Sequence, residues 1–162
     1  MIKENIAMYT LWTLIEVLTA AGALDGAEGV ERELKRTLEL DKQISNTFFY
    51  QVDPPYVEMD GYIERLRLVM HRTGALIRVD IDLSDGCITK ERIKKYFPDL
   101  YFNYQAPSAA PGATFSFASR SLEVPVLFIF RNQSPDCLSG ITIDYQSRVD
   151  EYGIPPPERS DD

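Results

Sequence analysis

The sequence predicts an α+β domain: an N-terminal helical hairpin packed on a mostly antiparallel sheet of about five strands, with one further short helix. Three observations lead there. Apolar residues recur at helical spacing from Lys3 to Ile44, interrupted by Gly22 and Gly26. From Thr47 onward the period shortens toward two, in runs rich in β-branched and aromatic residues separated by short polar turns. Between those runs, the charged segment Thr89–Phe97 has a helix cap at its start and Pro98 behind it.

The first predicted helix runs from about Lys3 to Ala23, with Leu11, Trp12, Leu14, Ile15 and Leu18 as its apolar face. Glu16 stands in the middle of this run, and Thr10, Thr13 and Thr19 share its spacing of three, which describes one polar face of an amphipathic helix. The second covers Ala27 to Ile44, where Val30, Leu34 and Leu38 recur at spacing four and the pairs Glu28/Arg32 and Glu31/Lys35 support the exposed side. Thr47 to Val52 reads as a strand ended by Pro54-Pro55. Tyr62–Met70 and Ala75–Leu83 flank the turn Arg72-Thr73-Gly74 and form a hairpin with one wet face, since Ile77, Val79, Ile81 and Leu83 alternate with Arg78, Asp80 and Asp82. A brief strand at Tyr101–Tyr104, a loop over Gln105–Gly112, and strands at Thr114–Ala118, Val124–Arg131 and Gly140–Tyr145 complete the domain, residues 1–147. Residues 148–162, with Pro155-Pro156-Pro157, form an irregular polar tail.

Composition narrows function mainly by exclusion. The chain has 162 residues, 44% hydrophobic and 26% charged, which fits an ordinary globular domain. Its 17 basic against 25 acidic residues give a net charge of −8, the wrong sign for a surface that neutralises phosphates, so no nucleic-acid partner is expected. The charge at Glu16 argues against a membrane span or an export signal and for a cytoplasmic protein; a periplasmic location is the alternative if residues 1–23, ending in Ala21-Gly22-Ala23, act as a signal peptide.

The two cysteines, Cys87 and Cys137, each follow a turn. A bond between them would close a loop of some fifty residues, for about 4 kcal/mol in the loop-entropy model. With no other sign of an oxidising compartment, two small buried apolar residues are expected instead.

No motif supplies chemistry. The six residues Thr13-Leu14-Ile15-Glu16-Val17-Leu18 resemble the N-terminal signature of type IV pilins and pseudopilins, where the glutamate lies in a long apolar helix that packs into a fibre. Leu11 stands where that family has glycine, and the chain turns charged beyond Leu24, so the resemblance ends there. Asp80, Asp82 and Asp85-Gly86 approach a calcium loop, but the third aspartate falls a place late and Glu91 lies on a predicted helix. The single histidine, His71, sits beside a hairpin turn with no nucleophile signature nearby. No phosphate loop or metal motif is present, and no catalytic residue, cofactor or metal is expected.

What remains is a non-enzymatic protein-binding domain, most sharply an immunity or inhibitor protein that neutralises a bacterial toxin, a basic toxin being the best electrostatic match. Its candidate contact residues are Asp53, Tyr56, Glu58 and Asp60 in the proline loop, and Asp80, Asp82 and Asp85 on the wet sheet face. Two alternatives stand beside it. One is a small-ligand binder or hydrolase using carboxylates and His71 in a cleft between the helices and the sheet. The other is a subunit or adaptor of a larger assembly. The aromatic group Tyr101, Phe102 and Tyr104 is of the kind enriched at interfaces, though core packing explains such rings as well.

Overall fold

A computed structural model describes residues 9–55, 57–58, 61–106 and 112–147. The elements in chain order are β1 (Tyr9–Thr10), α1 (Leu11–Leu34), β2 (Glu39–Ile44), β3 (Thr47–Val52), β4 (Val57–Glu58), β5 (Tyr62–His71), β6 (Leu76–Ser84), α2 (Lys90–Tyr96), β7 (Tyr101–Gln105), β8 (Thr114–Ser119), β9 (Val126–Arg131) and β10 (Ser134–Asp144), followed by a 3₁₀ turn at Tyr145–Ser147. Eight strands form one antiparallel sheet in the order β2-β3-β5-β6-β10-β9-β8-β7, and β1 pairs in parallel with β4 apart from it.

The expected hairpin of two long helices on a five-stranded sheet does not form: the sheet has eight strands, and the N-terminal helical residues end at Leu34. Within α1, Gly26 takes φ 62 and ψ −144 and the chain turns back there, bringing the Tyr9 hydroxyl within 3.4 Å of the Glu33 carbonyl. Arg32 forms an ion pair with Asp25 across that turn, in place of the expected pairing with Glu28. The helix stops where Lys35 enters the left-handed region and its N–H bonds the Glu31 carbonyl at 2.9 Å. Leu38, the third member of the spacing-four series, therefore lies beyond the helix. Glu39–Ile44 instead pairs with β3 through the two-residue turn Ser45–Asn46 and becomes an edge strand. At the other end, α1 begins at Leu11; residues 1–8 of the predicted first helix, the tail 148–162 and most of the predicted loop 105–112 lie outside the described residues.

Thr10 caps α1 through a reciprocal pair with Thr13: each residue's hydroxyl accepts from the other's backbone N–H, at 3.1 and 2.9 Å. Thr10→Ala leaves that first turn without its acceptor and is expected to cost about 1 kcal/mol, read as a lower urea midpoint. Beyond the cap, Leu14, Ile15 and Leu18 are fully buried. They face the sheet side formed by Leu66 and Leu68 of β5, Val79 and Ile81 of β6, Ile141 and Ile143 of β10, and Phe128 of β9, all in one core cluster. The short helix α2, capped by Thr89 as predicted, covers the same side: Ile93 and Phe97 are buried, Phe97 meets Phe128 at 5.2 Å, and Trp12 of α1 stacks on Tyr96 at 4.4 Å. Tyr145 closes the layer by donating its hydroxyl to the Leu18 carbonyl at 2.7 Å, over Gly22.

Cys87 and Cys137 are joined in a disulfide, with Cα atoms 4.7 Å apart, which overturns the expectation of two isolated thiols. The Leu138 N–H donates to the Ile88 carbonyl beside it, so the bond ties the segment before α2 to the start of β10. No helix is long and apolar enough to cross a membrane among the described residues.

Candidate functional site

Both helices lie on one face of the sheet, and no described helix covers the other. Side chains alternate across a strand, so the uncovered face carries Phe49 of β3, Arg65, Arg67 and Val69 of β5, Arg78, Asp80 and Asp82 of β6, Thr142 of β10, and Ser116 and Ala118 of β8. Consistent with this, Val69 and Ala118 are buried yet stand apart from the core cluster.

The register sets Arg65 opposite Asp82, Arg67 opposite Asp80, and Thr142 opposite Asp80 from the other side. Arg65 Nε lies 2.9 Å from Asp82 Oδ2. Asp80 is fuller still. Arg78 Nε donates to both of its carboxylate oxygens, at 3.1 and 2.9 Å, and Thr142 Oγ1 donates to Oδ1 at 3.0 Å, leaving the Asp80 side chain only 16% exposed. Two of the acids nominated for binding are thus brought to one face, but each already has an arginine partner there. They organise the surface more than they offer free charge to a partner.

The other nominated residues lie elsewhere. Asp53 follows β3 and lines a cavity of about 550 Å³ with Lys35, Arg36, Glu39, Glu64 and Arg65 among its walls. Glu58 is exposed on β4. Asp85 is exposed in the turn after β6, in the left-handed region at φ 55. Tyr56 and Asp60 lie outside the described residues. His71 Nδ1 is 3.1 Å from the Thr73 hydroxyl, within its own hairpin turn. Among the described residues, no group of His, Cys, Asp and Glu is placed to hold a metal ion.

The sharpest surface feature is the β7 edge. Tyr101, Phe102 and Tyr104 are 40%, 56% and 56% exposed, and the strand Tyr-Phe-Asn-Tyr-Gln carries no charge. Two of these rings are held from behind. Phe102 meets Phe117 edge-on at 5.7 Å, and Phe117 meets the buried Phe130 at 5.9 Å, so an aromatic relay runs from the surface into the core. Arg120 Nε donates to the Tyr101 hydroxyl at 3.0 Å. The turn before β7 is fixed by Asp99, which accepts from the Ser119 hydroxyl at 2.6 Å and the Arg120 N–H at 2.9 Å. Burial pushes the Asp99 carboxyl up, but these hydrogen bonds outweigh it and hold the group below the usual carboxylate range. The opposite edge contrasts with this one: β2 is also exposed throughout, but it carries Glu39, Asp41 and Lys42, the charges with which natural sheets guard an edge.

The sequence signal for the β7 surface was the uncharged aromatic run itself. What it lacked was the strand's place at the end of the sheet, which decides between interface and core. No protein-family model matches this chain, and neither a curated protein nor a solved structure is significantly similar to it.

Proposed function

We propose that the chain is a non-enzymatic protein-binding domain, an immunity or inhibitor protein that neutralises a toxic partner, with the β7 edge as its contact surface. One observation carries the reading: three large aromatic rings are exposed along one uncharged edge strand, Tyr101 and Tyr104 toward the uncovered face and Phe102 toward the helical one, while the other edge is guarded by charge. Aromatic anchors of this kind dominate binding energy at protein interfaces. The net charge of −8 adds long-range attraction for a basic partner.

The test compares tagged wild-type protein with Phe102→Asp and Tyr104→Asp in capture from native lysate, followed by expression of the captured partner with and without this chain. Both side chains are more than half exposed, so the fold should tolerate the changes. Each variant is expected to weaken capture about tenfold or more, the usual loss at an aromatic hot spot. The partner should be toxic alone and harmless when co-expressed. Equal capture by all three proteins removes β7 as the contact, and a partner harmless on its own replaces the inhibitor reading with that of an assembly subunit.

A second reading, small-ligand binding, draws on the cavity between the end of α1 and the starts of β2 and β5. Its volume falls in the ligand-binding range, but ligand sites are mostly apolar and this wall is mostly charged, which ranks it second.

On compartment, the Cys87–Cys137 bond supports an oxidising one over the cytoplasmic expectation. The burial of Leu11, Leu14, Ile15 and Leu18 in the core speaks against the periplasmic alternative by way of cleavage after Ala21-Gly22-Ala23.

A further inference from the structure

The arginine–aspartate array on the uncovered face is unequal: Arg65 pairs with Asp82 and Arg78 with Asp80, while Arg67 has no ion-pair partner among the described residues. Asp80 stands directly opposite Arg67 in the register but bonds Arg78 and Thr142. Gln51 stands opposite Arg67 on the other side, and the Arg67 Nε atom is buried with no hydrogen-bond partner. A buried donor without an acceptor is costly and uncommon in folded proteins. The Arg67 guanidinium carbon lies 5.9 Å from the centroid of Phe49, and Lys42 Nζ lies 5.1 Å from the same centroid. Neither cation is in an ion pair with a described residue. In a chain with 25 acidic and 17 basic residues, two unneutralised cations thus share one aromatic ring on the open sheet face.

We propose that Arg67 and Lys42 bind a phosphate-class oxyanion beside Phe49. The guanidinium offers N–H donors in one plane, a fork that matches oxyanion geometry, and no described carboxylate is paired with it. Lys42 comes from the exposed edge strand β2 on a flexible stem and can close on the same ligand as a point charge. The two cations match the charge of a phosphate monoester or of inorganic phosphate near neutral pH, about −1.5 to −2, better than that of a single carboxylate. This site lies at the β2–β5 side of the sheet, at the far end from β7, and the proposal is independent of the protein-binding reading.

The test follows the Arg67 Nε–Hε resonance of the isotopically labelled full chain during titration with inorganic phosphate, with sodium acetate and sodium chloride at matched ionic strength as comparators. A saturable shift at millimolar phosphate is expected, with smaller responses to acetate and chloride. Lys42→Gln, on an exposed strand, should raise the midpoint about tenfold, or about 1.4 kcal/mol. Arg67→Lys should lose the thermal stabilisation that phosphate gives the wild type. No saturable shift, an equal shift in chloride or acetate, or an unchanged midpoint in Lys42→Gln overturns the proposal.

Discussion

Replacing Gly22 with alanine is expected to remove about 3 kcal/mol from the unfolding free energy, within the range for overpacking a core and breaking a buried hydrogen bond together. On an exposed helical turn the same change would stabilise by nearly 1 kcal/mol, because alanine is the better helix former. The sign reverses here because of Tyr145. A Cβ on Gly22 would meet the Tyr145 hydroxyl and ring carbons at less than 3.0 Å, and that hydroxyl is held at 2.7 Å from the Leu18 carbonyl. The ring has nowhere to retreat, being 6% exposed between α1 and the end of the sheet. Burial also raises the phenol's pKa well above its ordinary value, so Tyr145 acts as a neutral donor throughout the physiological range. Urea denaturation should show a lower midpoint at an unchanged slope. In Gly22→Ala/Tyr145→Leu the total loss should fall short of the sum of the two single losses, since the two side chains compete for one space. A neutral or stabilising Gly22→Ala would mean that Tyr145 does not seat over the helix.

Opening the Cys87–Cys137 bond carries the other large effect. The bond joins residues 50 apart in sequence. A loop of that size is worth about 4 kcal/mol of unfolded-state entropy in the loop-closure model. That is a large share of the roughly 5–15 kcal/mol by which such domains are stable. Cys87 is exposed, so a mild reductant should reach it without prior unfolding. Chemical denaturation with and without reductant is expected to differ by most of that amount, and Cys87→Ser/Cys137→Ser should match the reduced wild type and no longer respond to reductant. Identical curves for oxidised and reduced protein would show that the bond contributes nothing to stability.

Much of the sheet was legible because local alternation is enough to define a strand. The hairpin over Tyr62–His71 and Leu76–Ser84, the strand Thr47–Val52, and α2 with its Thr89 cap lie within a residue or two of where their patterns put them. The second helix failed for a definable reason. Val30 and Leu34 do lie on a buried helical face, but the predicted helix runs on past Leu38 to Ile44, and Leu40 and Ile44 are exposed on an edge strand. Nothing local marks that change, because the partner that makes Glu39–Ile44 extended is β3, across a turn set by the left-handed Ser45. The candidate sites divide the same way. An uncharged run of tyrosine and phenylalanine is visible in sequence, whereas the neutralisation of Asp80 by Arg78 and Thr142 depends on a register between distant strands. The grouping of Lys42, Phe49 and Arg67 likewise needs three strands to be set side by side.

The strand order has a consequence for how the chain is made. Strands β2, β3, β5 and β6 pair with near neighbours in sequence, and so do β7, β8, β9 and β10, while the two halves meet only where residues 78–82 of β6 lie against residues 140–144 of β10. As the polypeptide leaves the ribosome, the first half can assemble early, but β6 then waits as an open edge until the last strand has been synthesised. Arg78, Asp80 and Asp82 lie along that waiting strand. Charges at such positions are the kind that keep an unpaired strand from adding to another chain.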